Sequence, residues 1–328
     1  MSATVLVLLD HEDTGALRGS VLELATAARD LAGGGAVHGL WVGDEPLDPA
    51  LPVLGQHGVA VVHAVRTGDA DPHLTPVLAE VLTDAARDTG ARVVLALSTF
   101  ENKEAVARLA VATGAGVVTD ASAVERDADG RVVATKTVLA GTWTTRCAVR
   151  TDLAVVTLKA GAVVSRHTGT DAPTVPEVRP RSVTVSERAR RTRIVERTTQ
   201  APSDRPDLGS ADVVVVGGRG TEGDFSAIEA LADAVGGAVG ATRVATDEGW
   251  IGHEAQIGQT GVTVSPRLYI GAGVSGAVHH RGGMQASGTI VAVNADPEAP
   301  IFEIADYGIV GDLFTVLPAV TEELRRLR

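Results

Sequence analysis

The stretch LYIGAGVSGAVHHRGGM, residues 268–284, holds the densest chemistry in the chain. Gly271, Gly273 and Gly276 have the spacing G-x-G-x-x-G, with a short apolar run (Leu268, Tyr269, Ile270) before them. A helix-compatible stretch with two adjacent histidines follows. In that context the first glycine permits a tight strand-to-helix turn and the second lets backbone approach a pyrophosphate. The helix start adds partial positive charge. The motif does not say which dinucleotide it would seat, but two details argue against a nicotinamide. The next apolar run, TIVAVN, ends in Asn294, where such a site places a carboxylate for the ribose hydroxyls. The motif also lies late, whereas a nicotinamide fingerprint opens its domain on the first strand.

Nearby segments supply parts that a bare phosphate turn does not need. GGRG (217–220) sets Arg219 at the C-terminal end of the run DVVVV, where ligands of open α/β sheets bind. GATRVATDEG (240–249) and QIGQTG (256–261) read as polar, glycine-flanked loops and carry Arg243, Gln259 and Thr260. Elsewhere the chain shows no catalytic carboxylate pair and no nucleophile–base pattern. Cys147, the single cysteine, reads as a packed strand residue. His11 beside Asp10, Glu12 and Asp13 has the composition of a metal cluster but reads as an acidic loop after a first strand, so no metal is expected. Arg188, Arg190, Arg191 and Arg193 read as a solvated or interdomain face rather than a nucleic-acid site.

These residues need a scaffold, and the sequence predicts one. Apolar runs at 4–9, 36–42, 59–65 and 92–98 alternate with helical periodicity at 20–32, 72–88 and 102–113, and a strand-like run follows at 116–120. That alternation implies a parallel sheet covered on both faces. Asp127-Ala128-Asp129-Gly130 signals a hairpin, and VTVSERARRTRIVER is compatible with an extended strand. A second α/β unit opens at 211, with helices at 225–236 and 311–327. The composition agrees: 328 residues suggest two domains, and 45% hydrophobic residues with 37 glycines and 3% aromatics suit α/β packing. A net charge of −12 disfavours binding a polyanion over a broad surface, so any phosphate site is local. No apolar run reaches membrane-span length and Met1 leads straight into a strand, so the expected location is cytoplasmic, without direct membrane insertion.

On the residues alone two rivals stay open: a nicotinamide-dependent oxidoreductase using GAGVSG, and a nucleotide-sensing binding module. The run VVVVGGRG, GATRVATDEGW, QIGQTG, LYIGAGVSGAVHHRGGM and TIVAVNADPEAPIFEIADYGIVGDLF resembles, in order, the electron-transfer flavoprotein alpha subunit, the FixB-type family. The N-terminal half is similar more loosely, through VLVLLDHEDTGALRGSVLELATAAR and KEAVARLAVATGAGVVTDASAVE. The resemblance implies an electron carrier rather than an enzyme with its own substrate chemistry. It implies an N-terminal α/β domain over 1–180 for partner contact, a linker over 181–205 and a Rossmann-like FAD-binding domain over 206–328.

By the same resemblance FAD is the cofactor and the beta subunit the heterodimer partner. Flavin dehydrogenases are the donors, a membrane quinone oxidoreductase is the acceptor, and no nucleic acid is involved. Arg219 and Thr242 would lie along the phosphates and ribityl chain, and Arg243 over the isoalloxazine. Ile257, Gly258, Gln259 and Thr260 would approach the flavin, with the Thr260 hydroxyl near N5. Ser275, Gly276, Ala277, Val278, His279 and His280 would form the phosphate-binding helix start. Asn294, Asp312 and Leu313 would meet the adenosine end. The two histidines sit about 100° apart on a helix, so only one can face the ring. The expectation is that His280 does, near the C2 carbonyl, as a protonated or donating group that with Arg243 favours anionic reduced flavin. His279 is then structural or exposed. Arg281 stands where the family has an apolar side chain, and Thr242 where it commonly has serine.

Overall fold

The computed structural model of the chain describes residues 3–139, 143–169, 175–196 and 205–327. They fall into two compact units, 1–136 with 144–199 and 137–143 with 200–328. The linker expected over 181–205 includes 197–204, which lie outside the described residues.

The first unit runs β1 (Val5–Leu8), α1 (Gly19–Ala32), β2 (Val37–Val42), α2 (Leu51–Gln56), β3 (Val59–Arg66), α3 (Thr75–Thr89), β4 (Val93–Leu97) and α4 (Phe100–Thr113). It continues with β5 (Gly116–Ala121), β6 (Ala123–Arg126), β7 (Val132–Val138), β8 (Trp143–Ala148), β9 (Ala154–Leu158) and β10 (Glu177–Ser182). Seven strands form one sheet in the order β10-β3-β2-β1-β4-β9-β5, every neighbouring pair parallel. A strand's period of two sends Val5 and Val7 into one core with Leu24 and Leu31 of α1, and Leu6 and Leu8 into another with Leu82 of α3 and Leu109 of α4. Both faces are covered, which is why VLVL is apolar at every position. The Thr99 hydroxyl caps α4 by accepting from the Asn102 N–H at 3.1 Å.

The hairpin expected at 127–130 joins β6 to β7, its turn closed by the Asp127 carboxylate accepting from the N–H of Asp129 and of Arg131. Cys147 is half-buried on β8, whose residues are largely exposed, rather than packed in a core. The strand read into VTVSERARRTRIVER lies earlier, at β10, an exposed edge that tolerates Pro180 because the outer side of an edge strand needs no ladder bond. The basic stretch after it is tied to acidic groups of the first unit: Arg190 pairs with Asp69, and Ser186 bonds Glu80 of α3. The acidic loop after β1 disperses. Asp10 is bonded by Asn102 at 2.8 Å, and His11 stacks on Trp41 with ring centroids 3.8 Å apart.

The second unit runs β11 (Val213–Gly217), α5 (Ser226–Val235), β12 (Ala238–Ala241), α6 (Arg243–Asp247), β13 (Leu268–Ala272), α7 (Val278–Met284), β14 (Thr289–Asn294), β15 (Tyr307–Val310) and α8 (Leu313–Leu327). Its five strands are parallel in the order β12-β11-β13-β14-β15. Val215, Ile270 and Val293 face α5 and α8, while Val214, Val216 and Tyr269 face the side that holds Met284 of α7. No helix among the described residues is long and apolar enough to cross a membrane.

Candidate functional site

From β11 the chain moves out to β12 on one side, then returns to β13 on the other. Ligands of open α/β sheets bind beyond the strand ends at such a switch point. The turns leaving β11 and β13 lock together there: Gly218 N–H donates to Ala272 O at 3.2 Å, and Gly220 N–H to Gly273 O at 3.0 Å. A Cβ on Gly220 would stand 2.7 Å from Gly273 Cα, so the contact requires bare backbone on both sides. Gly276 has φ +81°, and a Cβ there would strike the backbone nitrogen of Ile301.

A cavity of about 710 Å³ opens over these turns. That volume is in the usual range for a small-molecule or cofactor site. Its walls bring together Arg219, Thr242, Arg243, Ser275, Ala277, His279, His280, Asn294, Asp312 and Leu313. Ile257, Gly258, Gln259, Thr260, Gly276 and Val278 do not line it, but the 257–260 loop is bound to α7. Gln259 N–H donates to His279 O at 3.0 Å, and Gln259 Oε1 lies 2.9 Å from His279 Nδ1.

The two histidines differ in burial. His280 is the interior one, 5% exposed, with both ring nitrogens engaged. Nδ1 lies 3.0 Å from Ile257 O and Nε2 lies 2.7 Å from the Tyr269 hydroxyl. A carbonyl only accepts, so Nδ1 carries the proton. Burial holds the imidazole's pKa down at about 4, so the ring is neutral and Nε2 accepts from Tyr269. His280 is therefore neutral, with its one ring proton engaged by Ile257 O. Tyr269 is fully buried and its phenol is pushed well above its ordinary pKa. His279 is the exposed member of the pair.

Arg243 opens α6 and pairs with Asp247 one turn on, Nε to Oδ2 at 3.1 Å. Both side chains are exposed, so the pair is weak and readily exchanged. Asn294 holds two loops: its Nδ2 donates to Val274 O at 2.9 Å, and its Oδ1 accepts from Asp296 N–H at 3.0 Å. Asp312 accepts from the N–H of Phe314 at 3.1 Å and so caps the start of α8. Leu313 is buried against Gly273. Arg281 turns to Glu303, Nη1 to Oε2 at 2.9 Å, with little of its side chain exposed.

One wall atom is out of balance. Thr242 Oγ1 is buried without a hydrogen-bond partner, at the start of α6 and in the cavity wall. A buried hydroxyl left so costs about 1–3 kcal/mol. An acceptor or donor of a bound molecule would relieve it, and the bare backbone of the two turns leaves room for a phosphate group beside it. An FAD pyrophosphate has that chemistry, and the donor set of Thr242, Arg219 and the Ser275–Val278 turn suits it. Sequence reasoning missed Tyr269 and Gln256. Tyr269 reads only as an apolar strand position, and Gln256 only as the residue before a glycine loop.

The family profile described as the electron transfer flavoprotein domain matches residues 5–189, and that described as the electron transfer flavoprotein FAD-binding domain matches 207–285. The electron transfer flavoprotein subunit alpha of Mycobacterium leprae is 41% identical over 326 residues, covering 98% of each chain. That of Bacillus subtilis is 33% identical over 329 residues, covering 100% of this chain and 99% of its own. The mitochondrial subunit alpha of Arabidopsis thaliana is 54% identical over 136 residues, 41% of this chain and 37% of its own.

Proposed function

This chain belongs to the electron transfer flavoprotein alpha subunit family, and from that premise we propose which of its residues hold FAD and which proteins it serves. It is an electron carrier with FAD as cofactor and an electron transfer flavoprotein beta subunit as partner. Bound FAD supplies reversible redox chemistry. The protein supplies binding, orientation and charge. Thr242 and Arg219, with the turn from Ser275 to Val278, receive the phosphates. Arg243 gives positive charge beside the isoalloxazine, and the Gln259–Thr260 loop borders it. Asn294 and Asp312 shape the adenosine end chiefly by fixing loops, since their side chains are already bonded to backbone. Flavin dehydrogenases are the donors, a membrane quinone oxidoreductase is the acceptor, and the complex works in the cytoplasm.

The observation that carries this assignment is the buried, unpaired Thr242 hydroxyl in a cavity at the β11–β13 switch point. The test is co-expression with the beta subunit. A yellow heterodimer that soluble flavin dehydrogenases reduce and a membrane fraction reoxidises supports the assignment. A colourless complex that neither changes is the outcome against it.

Two substitutions address individual residues. Thr242→Val removes the hydroxyl that has no partner, so apo stability should hold or rise by about 1 kcal/mol. FAD should then bind roughly tenfold more weakly, since the bond lost is worth about 1.4 kcal/mol. Thermal melts of the apo-protein and FAD titration separate the two effects. Arg243→Ala should lower the FAD midpoint potential, because a cation near the ring favours the reduced, negatively charged form. A loss of about 1 kcal/mol corresponds to about 20 mV for two electrons. A redox titration identical to the parent's would remove Arg243 from this role.

A further inference from the structure

In the first unit a histidine meets a serine that stands 108 positions away in the chain, a separation that leaves no local pattern in the sequence. His57 follows α2, is 1% exposed and has both ring nitrogens engaged. Nδ1 lies 2.8 Å from Val53 O, and Nε2 lies 2.8 Å from Ser165 Oγ. A carbonyl only accepts, so Nδ1 carries the ring proton. Burial holds the imidazole's pKa below its ordinary 6.5, so at neutral pH Nε2 is a bare lone pair. The Ser165 hydroxyl therefore donates to Nε2. Ser165 itself is exposed, on the segment after β9. That segment is pinned before it, where Gly161 N–H donates to Glu23 Oε2 of α1 at 2.8 Å. After it, Arg166 N–H donates to Thr26 Oγ1 at 3.1 Å and Thr168 N–H to Gln56 O at 2.8 Å.

An accessible hydroxyl, a neutral imidazole that accepts its proton and a fixed group that holds the tautomer are the parts of an activated nucleophile. We propose that Ser165, with His57 as its general base, takes an acyl group from activated carboxylic esters, a reaction separate from electron transfer. Ser165 Oγ bonds the ester carbonyl carbon while its proton passes to His57 Nε2. The bond from that carbon to the leaving oxygen then breaks, and the leaving group departs as an alcohol with the proton from Nε2. Acyl-Ser165 and a neutral imidazole remain. A carbonyl behind the ring supports an imidazolium less than a carboxylate does, and Arg29, whose Nη1 donates to His57 O at 3.4 Å, opposes that charge. The dyad thus suits esters with good leaving groups rather than amides.

The test exposes the FAD-loaded heterodimer to p-nitrophenyl acetate, following p-nitrophenolate release and the mass of the peptide that carries Ser165. The expected result is acetyl on Ser165, or release that depends on Ser165 where the acyl group is hydrolysed as fast as it forms. Ser165→Ala should remove both and leave the flavin spectrum unchanged. His57→Gln keeps an acceptor for the hydroxyl and removes the base, so the Ser165-dependent rate should fall roughly 100-fold or more. In the parent that rate should fall in acid with a midpoint below 6.5, because a protonated Nε2 cannot accept. This acid profile carries the test if His57→Gln does not fold. Among the described residues Arg29 and His167 are the charged or titratable groups acting on the ring, His167 with its ring centroid 4.7 Å from that of His57. His167→Gln should leave the fall in place.

Neither acetyl on Ser165 nor release that depends on it would overturn the proposal outright. A Ser165-dependent rate unchanged in His57→Gln would make the hydrogen bond merely structural. A rate that stays level as far as the folded protein can be acidified would exclude an imidazole base. An acid profile abolished by His167→Gln would move the base to the exposed neighbour. Each of these outcomes removes the dyad and leaves the FAD assignment standing.

Discussion

Gly273→Val is expected to yield a chain that purifies without FAD, the largest loss of cofactor from any single change in the second unit. Gly273 has φ +64°, where a β-branched residue is strained by about 1–2 kcal/mol. Its Cβ would stand 2.8 Å from Gly220 Cα and 2.8 Å from Leu313 Cδ2. Relieving that overlap costs about 1–3 kcal/mol more. Backbone cannot yield as a long side chain can, so the β11 and β13 turns must part. They are the floor of the cavity. Parting them by even part of an ångström breaks the Gly220–Gly273 hydrogen bond and displaces the wall around Thr242. FAD affinity should fall at least ~100-fold, the equivalent of about 2.8 kcal/mol. Gly236→Ala is the control, since Gly236 has a similar φ of +68° with nothing within 4 Å. It carries the strain without the collision, so the protein should lose some stability and keep its FAD. Absorbance of the purified heterodimers and circular dichroism read both outcomes. Equal FAD content in the two variants would show that the cradle is not what holds the cofactor.

The parts of this architecture legible in the sequence are those where one force dominates. VLVL at β1 and VVLAL at β4 are buried at every position, so an unbroken apolar run identifies them without any partner being known. TIVAVN matches β14 residue for residue. Where forces are shared, the signal fades. AVGA at β12 has small residues and one branched side chain, and its strand state comes from pairing with β11. β15 is exposed throughout and interrupted by Gly308, so it exists as an extension of β14's ladder rather than through burial of its own. α6 is five residues long, too short for periodicity to appear.

The site divides in the same way. Glycine spacing and strand ends locate Arg219 and the Ser275 turn, because turn geometry is local. The histidines cannot be told apart by spacing, since which one is interior depends on Tyr269, a residue on a neighbouring strand. The unpaired Thr242 hydroxyl has no sequence signature either. It is a property of how α6 abuts the end of β11, and the hydroxyl of threonine reads the same in a capped and an uncapped turn.

The interior position of His280 has a consequence in acid. Burial holds its pKa at about 4 against an ordinary 6.5. In the unfolded chain the imidazole takes a proton as the pH falls through 6.5, whereas in the folded protein it stays neutral until about 4. Between those limits the unfolded state binds more protons, so stability declines with falling pH. Each pKa unit is worth about 1.4 kcal/mol, so the decline amounts to about 3 kcal/mol at its full extent. The first unit carries terms of both signs. Burial presses His63 down to about 4, which acts as His280 does. Asp10 is raised to about 6 by burial, so its contribution improves as the pH falls toward 3.8. Among the described residues of the second unit no group with a shift of comparable size opposes His280, so that unit should fail first. His280→Gln provides the check, because a glutamine amide can donate to Ile257 O and accept from Tyr269 while carrying no titrating proton. The urea midpoint for FAD release, read by flavin fluorescence, should drop steeply in the parent between neutral pH and pH about 4 and only slightly in the glutamine variant. A variant that keeps the parent's slope would place the acid sensitivity elsewhere. A parent with no slope would mean that the imidazole is not held neutral, which would also undo the hydrogen-bond directions that tie Tyr269, His280 and Ile257 together.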